Sequence, residues 1–225
     1  MNMGKLSLVI ATNNSGKLSE FRELLQDLPV ELLGIADVVP DLPPVVEDGA
    51  TFEANAIKKA QAVAEAALML TLADDSGLEV DALGGAPGVR SARYAGDRAT
   101  DAENNAALLR ALDEVPEEAR TARFRCVLCL VDPWAPGGPS TTTVAGVCEG
   151  MVARSARGAG GFGYDPLFVV QGGSRTLAEF GDAEKNAISH RGAAVRAMLP
   201  HLLAVIEERA KTTERISFSA PPPRP

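Results

Sequence analysis

The segment Lys5–Leu28, "KLSLVIATNNSGKLSEFRELLQDL", changes its hydrophobic period once, and the place of that change decides the architecture. Its first part, "KLSLVIAT", is a short continuous apolar run and reads as a buried strand. From Lys17 onward the apolar side chains return at Leu18, Phe21, Leu24 and Leu25, the spacing of one helix face. Small polar residues lie between, with Asn14 or Ser15 as the N-cap. A strand feeding a helix through such a turn aims free backbone N–H groups and a positive dipole at an anion. The "SGK" invites comparison with a P-loop, yet Ala11 stands where that pattern needs glycine, and Leu18 stands where it needs a metal-binding hydroxyl. Two readings stay open at this point: an ordinary helix cap, or a phosphate loop that is not a P-loop.

Composition narrows the class. At 225 residues, with 46% hydrophobic and 23% charged residues, the chain has the balance of a folded enzyme of one domain with two lobes. No apolar run reaches membrane-span length, and the N-terminal run is too short for a secretory core, so the expectation is a cytoplasmic protein without a membrane partner. A net charge of −8 argues against a nucleic-acid surface, which works by setting Lys and Arg against phosphates, but suits a small anion carried with a metal ion. Cys126 and Cys129 lie three apart in an alternating run, hence on opposite strand faces, and read with Cys148 as buried structural thiols.

Along the chain, "VELLGIAD" reads as a second strand and "VVPDLPPVVEDGA" as a surface loop that brings Glu47 to the start of the helix "TFEANAIKKAQAVAEAA". The run ending at Ala73 reads as a buried strand, "LEVDAL" as a second short one, and "TDAENNAALLRAL" as a helix. "TARFRCVLCLVD" and "STTTVAGVCEG" read as a long antiparallel pair joined by the turn "PWAPGGP". A long helix is expected from Asp182 to Arg209, kinked or interrupted at Pro200. The division expected is one domain over residues 1–210 and a mobile proline-rich tail over 211–225.

Chemistry concentrates in three blocks. "ADDSG" ends a buried strand with Asp74 and Asp75, adjacent carboxylates that must point to opposite faces, so one of them at most meets a given ligand. Mg²⁺ needs only one or two protein carboxylates beside substrate phosphates, and Glu47 with one of these acids would suffice. "GGFGYDP" supplies glycines for close approach, Phe162 or Tyr164 for stacking and Asp165 as an acceptor. "EKNAISHRG" adds three cations, Lys185, His190 and Arg191, to complement a triphosphate or a purine edge.

Together the four blocks "ATNNSGK", "DDSGLEVDALGGAPGVRSARYAG", "GGFGYDPLF" and "EKNAISHRG", in this order, resemble the inosine/xanthosine triphosphate pyrophosphatases, over Leu6 to about Leu203. The resemblance implies an α/β, ITPase-like fold: an elongated mixed sheet flanked by helices, two lobes with a nucleotide cleft between them, and a homodimer. It implies hydrolysis of non-canonical purine nucleoside triphosphates to monophosphate and pyrophosphate, with Mg²⁺. By position, Thr12, Asn13, Asn14, Ser15, Gly16 and Lys17 look like the triphosphate segment, Asp75 like the proton acceptor and metal ligand, and Glu47 like a second metal-associated acid. Ser76 is similar to a substrate contact, as are Phe162, Gly163, Tyr164 and Asp165 to the base-recognition block. Lys185, His190 and Arg191 match the closing contacts, Lys59 a lysine near the phosphates, and Arg93 a position near the base loop. Asn13 departs from the glycine or histidine of some relatives, and nothing after Arg209 has a reliable counterpart.

Overall fold

Strand β1 (Leu6–Ile10) pairs in parallel with β2 (Val30–Gly34) on one side and with the start of β3 (Thr71–Val80) on the other. Parallel neighbours need crossovers, and the helices α1 (Ser15–Leu24) and α3 (Phe52–Ala67) supply them. Between β2 and α3 the chain makes one short helix, α2 (Ile35–Val38), and the proline-rich loop. The sheet then turns antiparallel through β4 (Thr121–Asp132), β5 (Ser140–Val152) and β6 (Phe168–Val170), giving the order β2-β1-β3-β4-β5-β6. This computed structural model describes residues 5–219, with side chains as far as residue 212.

The length of the central strands makes two lobes out of one sheet. At roughly 3.3 Å per residue, the ten residues of β3 and the longer β4 and β5 outrun any single helix layer laid across them. In the first lobe, one face packs Leu8, Ile10, Leu72 and Leu128 against α1 and α6 (His190–Ser219). The opposite face packs Val9, Ala73 and Val127 against Phe52, Ala56, Ala60 and Val63 of α3. Further along the same strands, Leu78, Val80 and Phe124 form a separate core with Leu108 and Leu112 of the α4 region (Asp101–Ala111), Phe168 and Leu177. Cys126 and Cys129 fall into cores on opposite faces, as their spacing requires, and burial pushes both thiols up to about 12.

Two sequence expectations need correction. "ADDSG" does not end a strand: β3 runs unbroken from Thr71 to Val80, with Asp74, Asp75 and Ser76 inside it. The reason is tertiary, because the loop 84–96 lies across the strand where a side chain is missing. At Gly77 a Cβ would collide with Ser91 Oγ and the Gly88 carbonyl, while Ser91 Oγ accepts the Leu78 N–H at 2.9 Å. Nor is the last helix interrupted at Pro200. The break falls at Ser189, extended at ψ 159°, which ends α5 (Asp182–Ile188) and accepts the Gly192 N–H on its own hydroxyl to start α6. α6 then passes Pro200 and continues through 211–219, the first part of the stretch read as a tail, whose residues 220–225 lie outside the described residues.

The seat of α6 on β5 depends on Gly146, where a Cβ would meet backbone atoms of His190 and Ala194. Backbone cannot swing aside, so Gly146→Ala should lower stability by about 1–3 kcal/mol, the usual scale of overpacking. Calorimetry should find a Tm several degrees below wild type, with Gly173→Ala, which meets nothing closer than 3.4 Å, essentially unchanged. Equal melting of the two variants would refute the close packing.

Candidate active site

A cavity of about 500 Å³ lies where the two lobes meet over the middle of β3. Its floor is the alternation of the strand. Asp74 and Asp75, both buried, leave on opposite faces and enter different environments. Asp74 Oδ2 sits 3.0 Å from Lys17 Nζ and 3.1 Å from Arg191 Nη2, and accepts the Ser76 hydroxyl. Burial alone would push this carboxyl up, but Lys17, Arg191 and Lys59 outweigh it and hold Asp74 far below the ordinary carboxylate range. On the other face, Asp75 Oδ2 accepts from Asn55 Nδ2 at 3.0 Å, and Oδ1 lies 3.8 Å from Lys59 Nζ. There burial wins over Lys59 and Asn55, and Asp75 is pushed up to about 6. Neighbouring acids whose environments drive them apart in this way are a signature of divided roles.

The loop after β1 meets this floor from one end. Asn14 proves to be the cap: its Oδ1 accepts the Lys17 N–H at 2.9 Å, while its own N–H donates to Thr12 Oγ1. Thr12, Asn13, Asn14 and Lys17 line the cavity, whereas Ser15 and Gly16 line an adjoining recess on the other side of Phe162. Gly16 has no room for a side chain, since a Cβ there would lie 2.7 Å from the Phe162 ring. Glu47 arrives from the proline-rich loop. Its carboxylate sits 3.1 Å from Lys59, and its carbonyl accepts from Arg93, which therefore braces the Glu47 loop and not the base block. Lys58, beside Lys59, turns away to pair with Asp48 at the surface. Among the described residues no three His, Cys, Asp or Glu side chains converge as a metal cluster, so Glu47 and Asp75 are a pair of carboxylates around one lysine.

At the far end, the 162–165 turn is fixed by its neighbours. The Phe162 N–H donates to Asp165 Oδ2, the Gly163 N–H to Asp101 Oδ2, and Asn105 donates to the Gly163 carbonyl. Tyr164 is buried with its hydroxyl given to the Ser91 carbonyl, so Phe162 is the ring that offers a half-open face. Lys185 Nζ lies 4.8 Å from the Phe162 centroid, within 2.6 Å of both Glu20 and Asp165. Burial opposes that charge, but the two carboxylates raise Lys185 above its usual value. Arg191, 1% exposed, is bound by Glu20, Asp74 and Ser76. His190 is not the third cation of the sequence reading. Burial first, then Arg191 and Lys185, push it well below the usual imidazole value, and the ring stacks on Phe124 at 4.7 Å.

The residues singled out in the sequence thus border one cavity or its adjoining recess, except Asp74, which is buried against Lys17 and Arg191. Three that were not singled out organise it. Asn55 and Glu20 hold Asp75, Lys185 and Arg191, and Asp101 holds Gly163. Asn55 had a legible signal, a polar residue on the otherwise apolar stripe Phe52, Ala56, Ala60, Val63. Glu20 and Asp101 had none, because an acid on a helix face or in a first turn is commonplace.

Known proteins resemble this chain over its whole described core. The dITP/XTP pyrophosphatase of Geobacter sulfurreducens is 51% identical over 195 residues, covering 87% of this chain and 96% of that protein. The dITP/XTP pyrophosphatase of Desulforamulus reducens is 51% identical over 191 residues, 85% of this chain and 92% of its own. A solved HAM1 protein from Coxiella burnetii, 44% identical, superposes with a TM-score of 0.78 over 88% of this chain and 99% of its own. With the Ham1 family model matching residues 8–201, the span that carries both lobes and the cavity, the chain belongs to the Ham1 family.

Proposed function

We propose that this protein hydrolyses ITP, dITP and XTP between the α and β phosphates, releasing the monophosphate and pyrophosphate and so keeping these nucleotides out of DNA and RNA. The observation that carries the reading is the split pair on β3: Asp74 buried as an ion against Lys17, and Asp75 displaced to about 6 beside Lys59, with Lys17, Lys59 and Asp75 lining one cavity. One acid fixes a phosphate-facing cation, and the other is placed to take a proton near neutral pH. Relatives at half identity bearing the name dITP/XTP pyrophosphatase support the substrate class. Homodimeric assembly, a cytoplasmic setting and independence from nucleic acid belong to the same reading, the last consistent with the charge of −8.

Mg²⁺ is part of the proposal, with Glu47 and Asp75 as its holders. The fit rests on charge: two carboxylates face the single ammonium of Lys59, and the upward displacement of Asp75 is partly the work of Glu47. Such a pair accommodates a cation that takes one or two carboxylates and completes its shell with phosphate oxygens and water. When bound, the ion neutralises phosphate charge. The chain's own contribution is positional. The first turn of α1, capped by Asn14, presents N–H groups and Lys17 to the phosphates, and Lys59 adds charge beside Asp75. Phe162 provides an apolar face for a purine, and Asp75 has two alternative roles, holder of the ion or acceptor of the attacking water's proton.

The test is a product assay on ITP with Mg²⁺. Pyrophosphate and IMP are expected, whereas IDP with orthophosphate, or binding without turnover, would overturn the reading. Among substrates ITP and XTP should stand well above GTP, and GTP at or above ATP, in kcat/KM. Asp75→Asn keeps the shape but not the charge or basicity, so turnover should fall by at least about 10²-fold; near-normal turnover would remove Asp75 from the chemistry. Lys17→Ala should weaken ITP and XTP alike, and a reordered base preference would place Lys17 with the base instead.

A further inference from the structure

We infer that Asn55 is a positioning residue for the active site, fixing the rotation of the Asp75 carboxylate and tying it to the loop that carries Glu47. This rests on the pyrophosphatase reading above, and concerns a residue that does not line the cavity. Asn55 sits on the buried stripe of α3, 0% exposed, where every neighbour on the stripe is apolar. A buried amide is tolerated only when its donors and acceptor are used. Here Nδ2 donates to Asp75 Oδ2 at 3.0 Å and Oδ1 accepts the Gly49 N–H at 2.8 Å. The orientation follows from the partners, since Gly49 offers a donor and the Asp75 carboxylate accepts.

Two consequences follow for the acids. With Oδ2 held toward α3, the other oxygen of Asp75 is the one beside Lys59, where it also accepts the Ser76 N–H at 3.1 Å. The Glu47 loop, meanwhile, is pinned on both sides: Arg93 holds the carbonyl of Glu47, and Asn55 holds the N–H of Gly49 two residues on. Gly49 is pressed close enough that a Cβ would lie 2.6 Å from Asn55 Oδ1. One amide therefore bears on both the rotation of Asp75 and the reach of Glu47: it ties Asp75 to the loop backbone, while the Lys59 ammonium meets the two carboxylates from the cavity side.

The variants Asn55→Asp and Asn55→Ala separate this role from simple packing. Asn55→Asp keeps the size and an acceptor for Gly49 but loses the donor toward Asp75; Asn55→Ala loses both. Each should lower kcat on ITP by about 10–100-fold, the scale for losing an outer partner of a ligating group. The Kd for α,β-methylene-ITP, read by calorimetry without Mg²⁺ so that the two acids carry no ion, should stay within about threefold because no nucleotide contact is lost. Ala64→Gly, on the same buried helix but outside the cavity, should lower Tm comparably while kcat stays within about twofold. Normal kcat in Asn55→Asp would overturn the inference, as would a Kd that worsens in step with kcat. A wild-type chain that hydrolyses no purine triphosphate would sink the pyrophosphatase reading and this inference together, which tells the two failures apart.

Discussion

Asp74 has no access to water, and the network that keeps it charged holds the two lobes in register. From Asp74 the contacts run to Lys17 on α1 and Arg191 on α6, from Arg191 to Glu20, from Glu20 to Lys185 on α5, and from Lys185 to Asp165 in the aromatic turn. Three acids and three bases alternate, so the path is neutral as a whole, although each member is almost excluded from solvent. Buried pairs of this kind add little net stability over an apolar packing, yet removing one member costs about 3–5 kcal/mol because its partner is left uncompensated. What the path supplies is placement. A β-strand, two ends of the helical layer and the Phe162 turn are fixed relative to each other by directional, charge-assisted bonds.

The strand β3 can carry such a network because its faces are sealed differently along its length. At Leu72 and Ala73 both faces are apolar, and at Leu78 and Val80 one face is apolar again while Glu79 on the other pairs with Arg125 of β4. The buried acids are confined to the middle, and alternation sends the two carboxylates to opposite sides. Asp74 meets two cations and is held far below the ordinary carboxylate range; Asp75 meets an amide and a more distant lysine, and burial pushes it up to about 6. The difference between a structural and a reactive acid is therefore a one-residue step along one strand.

Much of this was readable without coordinates. The change of period at Asn14, the alternation through Cys126 and Cys129, and the four blocks with their order predicted the sheet, its flanking helices and the residues that gather at the cleft. What misled was local composition. "DDSG" carries turn residues, and only the covering loop at Gly77 and Ser91 keeps it extended. Pro200 looked like the break in the last helix, yet Ser189 breaks it by capping α6 with its own hydroxyl. His190 looked cationic by company, and burial among cations makes it neutral. The Ser189 cap is local, whereas the covering loop and the burial of His190 depend on contacts between separate segments, which periodicity cannot carry. Glu20 and Lys185, for example, are separated by 165 residues.

The same network limits how the base end can read a purine. Lys185 and Arg191, by sequence complements to a triphosphate or a purine edge, already serve Glu20, Asp165 and Asp74. Arg191 is so enclosed that its removal would leave Asp74 and Glu20 facing each other's charge without it, disturbing Lys17 and Phe162 before any base contact is tested. Neutral groups are less encumbered. The His190 imidazole lines the cavity with an Nδ1 that has no protein partner among the described residues, and its ring plane is set by Phe124. Phe162 lines the same cavity, its backbone held by the same Asp165 that engages Lys185. On the proposed function, the charged residues act as a frame, and discrimination would fall to oriented neutral hydrogen bonds and an aromatic face. Those are the elements by which a site rejects a base whose donor and acceptor are exchanged, since the wrong base leaves a buried polar atom unpaired.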